Sequence, residues 1–228
     1  AILTEKVGKK HLMGAYHGGW SLGGFAGAGV LLVLLKILSL PVNQSIWGLL
    51  IVLFIAMVVV SQFMLTFGSD PNAKVTKKSK SPLSFHPIAL IFGLLSFVSY
   101  LVEGAVGDWS ALYLFEDKGI VIEEAVMGVM LFNGTMCIGR LLGNRLGKHL
   151  TSKQVVVGGY LLGSIAMGLI VFLPGHASMY TYLLLGISLA MIVPNLFSAM
   201  GEQNVIPMTQ AVATSTMLGY MGILMGPA

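Results

Sequence analysis

Charged side chains are scarce in this sequence. The 228 residues include 13 Lys or Arg and nine Asp or Glu, so only 10% of the chain is charged, whereas a soluble domain carries about 25%. A water-facing surface cannot be assembled from so few charges, and 56% of the residues are hydrophobic. The composition therefore predicts an integral membrane protein whose main solvent is lipid.

Cysteine is nearly absent, since Cys137 is the single one, and this excludes an internal disulfide. The sequence shows no zinc-ligand spacing, phosphate-binding loop or nucleophile elbow. A membrane enzyme acting on lipids or isoprenoids would need clustered acids or histidines, and the acidic segment 116–124 lacks the regularity of metal ligands. We therefore expect no metal, no cofactor and no enzymatic activity.

Long apolar runs are abundant. A membrane-spanning helix needs about 20 mainly apolar residues, and seven such runs occur, at 13–40, 45–67, 85–115, 124–146, 154–174, 178–200 and 206–228. They predict an all-α membrane protein with about seven spans. The 29 glycines suit closely packed membrane helices. In the first span, Gly19, Gly23 and Gly27 recur every four residues and predict tight packing.

The connections between spans are short except for 68–84, a polar and basic segment with two prolines that predicts a linker between two helical bundles. Eleven of the 13 Lys and Arg residues fall on one side of the predicted topology, and only Lys36 and Lys118 fall on the other. By the positive-inside rule the first side is cytoplasmic. The basic charge is thus a topology signal and does not indicate nucleic-acid binding.

Two carboxylates, Glu103 and Asp108, lie in the third span. A charge near the bilayer centre costs several kcal/mol, so such a residue faces a cavity or a partner. Ser96, Ser99, Tyr100, Gly107 and Ser110 lie at helical spacing around Glu103 and predict a polar stripe along a water-lined cavity. Glu103 and Tyr100 are therefore candidates for the substrate or proton pathway. The alternative for Glu103 is a structural acid bonded to a hydroxyl on a neighbouring helix.

Four further side chains are candidates for contact with a substrate or for gating, and each has an alternative role. Asn133 lies deep enough to contact substrate, or it bonds a neighbouring helix. Arg140 belongs to an inner gate, or it is a topology charge that extends to the interface. Trp109 stacks on a sugar or joins an interfacial aromatic belt, and Tyr220 faces a cavity or packs.

Three stretches carry a resemblance to a known family. The segment "RLLGNRLGK" resembles the cytoplasmic loop motif of major facilitator superfamily transporters, with a gating role for Gly143, Asn144, Arg145, Gly147 and Lys148. Asn144 stands where the family motif has aspartate. "YMGILMGPA" resembles the family's eleventh helix, and "EGAVGDWSALYL" resembles the seventh helix of a bacterial branch that includes fucose-permease-like sugar permeases.

This resemblance implies an organisation. The chain would be a fragment covering helices 5–11 of twelve. Residues 1–67 would belong to the N-terminal bundle, 68–84 would be the central cytoplasmic linker, and 85–228 would form most of the C-terminal bundle. Its partners would be the lipid bilayer, a small-molecule substrate and the remaining helices of the full-length chain.

The resemblance also implies a function. It predicts a secondary active transporter of the inner (plasma) membrane that moves a small polar solute by alternating access. A sugar is one candidate solute, and symport with protons is one candidate coupling. An exporter of drugs or metabolites and a membrane sensor that keeps the fold without transport are the alternatives.

Overall fold

The computed structural model describes residues 13–34, 38–62, 83–146 and 150–227, and these ranges contain helices and no strand. The helices are α1 (Met13–Leu32), α2 (Val42–Ser61), α3 (Pro87–Glu116), α4 (Ile122–Ala125), α5 (Met127–Leu146), α6 (Ser152–Phe172), α7 (Gly175–Leu189), α8 (Ile192–Glu202) and α9 (Met208–Met225). The all-α fold class is confirmed. Most of the linker 68–84 lies outside the described residues.

Each of the seven predicted spans contains a helix. Among the described residues, four segments are long and apolar enough to cross a bilayer: Asn43–Ser61, Pro87–Glu116, Ser152–Phe172 and Gly175–Glu202. The helix α1 ends at Leu32, earlier than the predicted span 13–40. Ser39 has a φ of 49°, and Leu40 precedes Pro41, a position that disfavours the helical conformation. Ser39 and Leu40 therefore lie outside helix, directly before α2.

The chain divides into two compact units, one of residues 1–25 and 81–228 and the other of residues 26–80. In the second unit, most of the α2 surface is exposed apolar side chain, as suits a helix that faces lipid. The first unit contains the buried core, to which α3 and α5–α9 contribute. The division into bundles at 1–67 and 85–228 stays a prediction.

The helices α3 and α9 pack with their backbones in close contact. A Cβ atom on Gly104 would lie 2.7 Å from the Ile223 carbonyl oxygen, and one on Gly222 would overlap the Phe97 carbonyl. Only glycine permits this approach at either position. Ser96 and Ser215 add a buried hydroxyl–hydroxyl hydrogen bond of 2.8 Å across the same interface.

A break at Ala190 and Met191 separates α7 from α8. Pro194 lies four residues after Ala190 and has no N–H to donate to the Ala190 carbonyl, so the regular helical bond is missing there. The helix resumes beyond the break, where the Asn195 backbone N–H donates to the Met191 carbonyl at 3.1 Å. The Ala190 carbonyl is therefore left for another donor.

Candidate functional site

A buried ion pair lies at the centre of the first unit. Arg140 of α5 is 1% exposed, and its Nη2 donates to Oε1 of Glu103 on α3 at 2.9 Å. The Glu103 side chain is 10% exposed. Arg140 therefore does not extend to the membrane interface as a topology charge would, and Glu103 bonds to a cation rather than to a hydroxyl.

Three further acceptors surround the Arg140 guanidinium. Nη1 donates to Ser21 Oγ at 2.6 Å and to the His17 carbonyl at 3.4 Å, both on α1. Nε donates to the Ala190 carbonyl at 3.2 Å, the group that Pro194 leaves without a helical partner. One side chain thus connects α1, α3, α5 and the break between α7 and α8.

This arrangement is chemically switchable. A buried arginine and carboxylate lose the solvation of water, and they are tolerated only where good geometry and further hydrogen bonds compensate. A proton on Glu103 would remove one charge of the pair and weaken its hold on Arg140. The remaining three acceptors would still satisfy most of the guanidinium. A single protonation at this site can therefore change which helices are held together.

The expected polar stripe on α3 does not line one cavity. Ser96 bonds to Ser215 of α9, whereas Ser99 Oγ lies 2.9 Å from the Tyr160 hydroxyl of α6. The prediction of a continuous water-lined stripe is wrong for these two serines, because each is buried in a different helix interface. Ser110 is also buried, and its hydroxyl meets no partner among the described residues.

Tyr100 and Tyr220, two of the candidate substrate residues, lie against each other. Their ring centroids are 6.2 Å apart and the planes differ by 16°, a stacked arrangement. Tyr100 is half-buried on α3, one turn before Glu103, while Tyr220 on α9 is 56% exposed. The structure therefore brings two sequence-selected aromatic rings close to the ion pair.

The other two candidate contacts lie in different surroundings. The Asn133 amide donates to the Val129 carbonyl of its own helix at 3.0 Å. Trp109 is exposed, and its Nε1 donates to the Pro227 carbonyl at 3.0 Å, beyond the end of α9. Roles for both residues in contact with a solute stay predictions.

The loop motif is only partly described. Gly143 is buried on α5, and a Cβ there would overlap the Met191 side chain beside the α7–α8 break. Asn144 and Arg145 lie in the last turn of α5, but their side chains, together with Gly147 and Lys148, fall outside the described residues. Within the described ranges, no group of three or more His, Cys, Asp or Glu side chains could hold a metal.

An apolar groove of about 300 Å³ lies between α1, α5 and α7. Its lining is Phe25, Met127, Met130, Leu131, Gly134, Thr135, Ile138 and Leu183. The Thr135 hydroxyl donates to carbonyls of its own helix, so the groove offers a polar solute no free partner.

Sequence reasoning missed three acceptors of the site, Ser21 and the backbone carbonyls of His17 and Ala190. The position of Pro194 holds the signal for the Ala190 carbonyl, because a proline frees the carbonyl four residues before it. Ser21 is a small polar residue in a glycine-rich segment, and nothing in its spacing distinguishes it. Its contact with Arg140 joins residues 119 positions apart.

Comparison with known proteins finds relatives described as a transporter and as a membrane protein. An uncharacterized MFS-type transporter of Yersinia pestis is 34% identical over 233 aligned residues, which cover 100% of this chain and 58% of that protein. Membrane protein MosC of Rhizobium meliloti is 30% identical over 139 residues, covering 60% of this chain and 34% of its own length. No solved structure gives a significant match.

The chain thus spans little more than half the length of the Yersinia pestis relative. A family model described as Major Facilitator Superfamily matches residues 3–227, nearly the whole sequence. The apolar helices, the loop-motif sequence and this match all indicate the same family. The chain belongs to the Major Facilitator Superfamily and is a multi-pass membrane protein.

Proposed function

We propose that this chain is part of a secondary active transporter of the inner membrane, which moves a small polar solute by alternating access. Membership of the superfamily and the names of the relatives support transport as the activity. The observation that carries the mechanism is the buried pair of Glu103 and Arg140. The finer parts of the proposal are symport with protons, a sugar as solute and a cytoplasmic linker at 68–84.

The ion pair supports proton coupling because two charges are costly to bury and because one of them, Glu103, can be neutralised by a proton. A purely structural contact between these helices would be at least as stable if apolar side chains of similar volume replaced both charges. A titratable acid bonded to a fixed cation can instead exchange its partner for a proton. Release of Arg140 would then loosen α3 from α5 while the contacts of Arg140 with Ser21 and Ala190 persist.

The chemistry of the four candidate contact residues supports a polar solute. Tyr100, Tyr220 and Asn133 offer phenolic and amide groups, and Trp109 offers an indole ring. Such groups bind neutral hydroxylated molecules through hydrogen bonds and ring contacts.

Topology rests on the distribution of basic residues. With Arg140 set aside as a member of the buried pair, ten Lys and Arg residues lie on one side of the predicted topology and two, Lys36 and Lys118, on the other, which favours a cytoplasmic location for the linker. Glu116, Asp117 and Glu124 fall on the opposite side, where Lys118 donates to the Val171 carbonyl at 2.6 Å.

The coupling role is tested with the complete transporter in liposomes under an imposed proton gradient. Glu103→Gln keeps the size and a hydrogen-bond acceptor for Arg140 but cannot titrate. We expect it to abolish accumulation of solute against a gradient while exchange of labelled for unlabelled solute continues. Ser21→Ala is the matched control, because it also removes one partner of Arg140 and leaves the titratable acid.

Each outcome has a definite meaning. Accumulation that persists in Glu103→Gln would show that this acid does not couple transport to protons. Loss of accumulation in both variants would indicate a structural role for the network. Export against the gradient would favour the exporter, and solute binding without any flux would favour the sensor.

A further inference from the structure

We propose that the stacked rings of Tyr100 and Tyr220 form an aromatic shelf that binds the ring of a cyclic polyol and rejects its open-chain counterpart. The inference rests on the proposed function, because it assigns a subsite to the transported solute. Aromatic shelf here means these two residues only.

The shelf is held in place by close packing of α3 and α9. A Cβ on Gly219 would lie 2.6 Å from Cδ2 of Tyr100, so the Tyr100 ring rests directly on the α9 backbone. The Tyr220 ring lies nearly parallel to it, at 6.2 Å between centroids. Tyr220 lies in an offset stack on Tyr100 and remains 56% exposed. An exposed but positioned ring is a suitable surface for a flat apolar face.

A hydrogen-bond acceptor lies close to the shelf. Tyr100 and Glu103 are three residues apart on α3 and so lie on the same side of the helix, about one turn apart. Glu103 Oε1 accepts from Arg140, while Oε2 meets no donor within the described part of the chain. A ligand on the shelf therefore has an acceptor within reach of its hydroxyl groups.

The hydrogen-bonding groups that remain unpaired at the site favour a neutral ligand over an anionic one. Arg140 uses four of its five N–H groups on Glu103, Ser21, His17 and Ala190. Little of this cation is left for an anionic solute, whereas the unpaired carboxylate oxygen favours a hydroxyl donor. A neutral polyol fits this pattern better than an acid does.

Ring closure explains the selectivity. A cyclic polyol presents a rigid face of C–H groups with hydroxyls at its rim, so it can stack on Tyr220 while a hydroxyl donates to Glu103. An open-chain polyol has the same hydroxyls but no fixed face, and it loses more rotational freedom on binding. The shelf therefore favours the ring form.

The test measures binding to the complete purified transporter. The probes are radiolabelled D-galactose against galactitol, D-glucose against glucitol, and myo-inositol. We expect a cyclic probe to bind, and its open-chain partner to bind more weakly. Tyr220→Leu should weaken binding of the cyclic probe about three- to tenfold, and Tyr220→Phe should stay near wild type. Tyr180→Leu on α7 is the control, because Tyr180 is similarly exposed, at 54%.

The outcomes separate this inference from the proposed function. Equal binding of the ring and open-chain forms, or unchanged binding in Tyr220→Leu, would overturn the shelf and leave alternating access standing. Accumulation of another solute class with no binding of any cyclic probe would do the same. Failure to move any solute across the membrane would instead contradict the proposed function. If Tyr220→Leu does not fold, Tyr220→Met supplies a second variant without a ring.

Discussion

Arg140 shows how one residue can hold several helices through a single planar group. Its guanidinium is buried and bonds to acceptors on α1, α3 and the α7–α8 break. Lysine could not replace it, because an ammonium group lacks the flat fork that reaches acceptors in several fixed directions. The site therefore depends on arginine geometry as much as on its charge.

A stability prediction follows for this residue. Arg140→Met leaves the Glu103 carboxylate without its cation in an apolar interior, and removing one partner of a buried pair typically costs about 3–5 kcal/mol. The double variant Arg140→Met with Glu103→Met removes both charges and should recover much of the loss. Unfolding of the purified protein in a denaturant series measures both. A double variant no more stable than the single one would show that the hydrogen bonds to Ser21 and Ala190, not the charges, carry the stability.

The sequence could suggest these two ionised residues but not their pairing. Each lies in an apolar span, and the cost of a membrane charge predicts that each has a partner. Periodicity within a helix orders residues around that helix alone, so it cannot say which helix lies opposite. Ser96 and Ser99 illustrate this limit, because they bond to different neighbours although they lie close in sequence.

At the scale of elements, some glycines lie against a neighbouring helix and others meet no neighbour, and sequence spacing does not distinguish the two groups. The regular series Gly19, Gly23 and Gly27 meets nothing within 4 Å at the position of a Cβ, whereas Gly18 lies against Leu141. The prediction of tight packing through the regular series is wrong within the described residues. Close backbone approaches occur instead between α3 and α9, and between α5 and α7, where a Cβ on Gly186 would overlap the Phe132 carbonyl.

Alanine substitution at Gly222 and at Gly23 should change the stability of the protein in opposite directions. Gly222→Ala would push a methyl group into the Phe97 carbonyl and force α3 and α9 apart, at a cost of about 1–3 kcal/mol. Gly23→Ala is the matched control, because its position is open and alanine favours the helix by up to about 1 kcal/mol. Thermal unfolding of both variants in the same detergent compares them. Equal stability of the two would contradict the close packing of α3 and α9.

Helix positions were predictable, while breaks and ends were less so. The seven apolar runs each locate a helix, and four segments among the described residues are long and apolar enough to cross a bilayer. Pro194 interrupts the helix not at its own position but at Ala190 and Met191. The shift is one turn towards the N-terminus, since a proline removes the bond to the carbonyl four residues before it. The carbonyl that Pro194 leaves free in this way belongs to Ala190, and it accepts a hydrogen bond from Arg140 Nε.

At the scale of the whole molecule, the membrane determines which surfaces carry charge. The exposed apolar side chains of α2 and the outer faces of α6 would be unfavourable in water and suit lipid. Within the described residues, charged side chains other than Asp108 and the buried pair lie in loops, in the short helix α4 or at the ends of helices. The direction in which the chain crosses the membrane then depends on the basic loops alone.

Accessibility to a membrane-impermeant thiol reagent tests this direction. Cys137 is buried, so the natural cysteine should contribute little background labelling. With the complete transporter in intact cells, we expect Lys118→Cys to react from outside and Lys78→Cys to react only after the membrane is permeabilised. The physical reason is that position 78 lies in the basic linker and position 118 in an acidic loop, and basic loops stay on the cytoplasmic side. Unsubstituted protein, labelled in parallel, gives the background. Labelling of position 78 but not 118 in intact cells would reverse the orientation and place the linker outside.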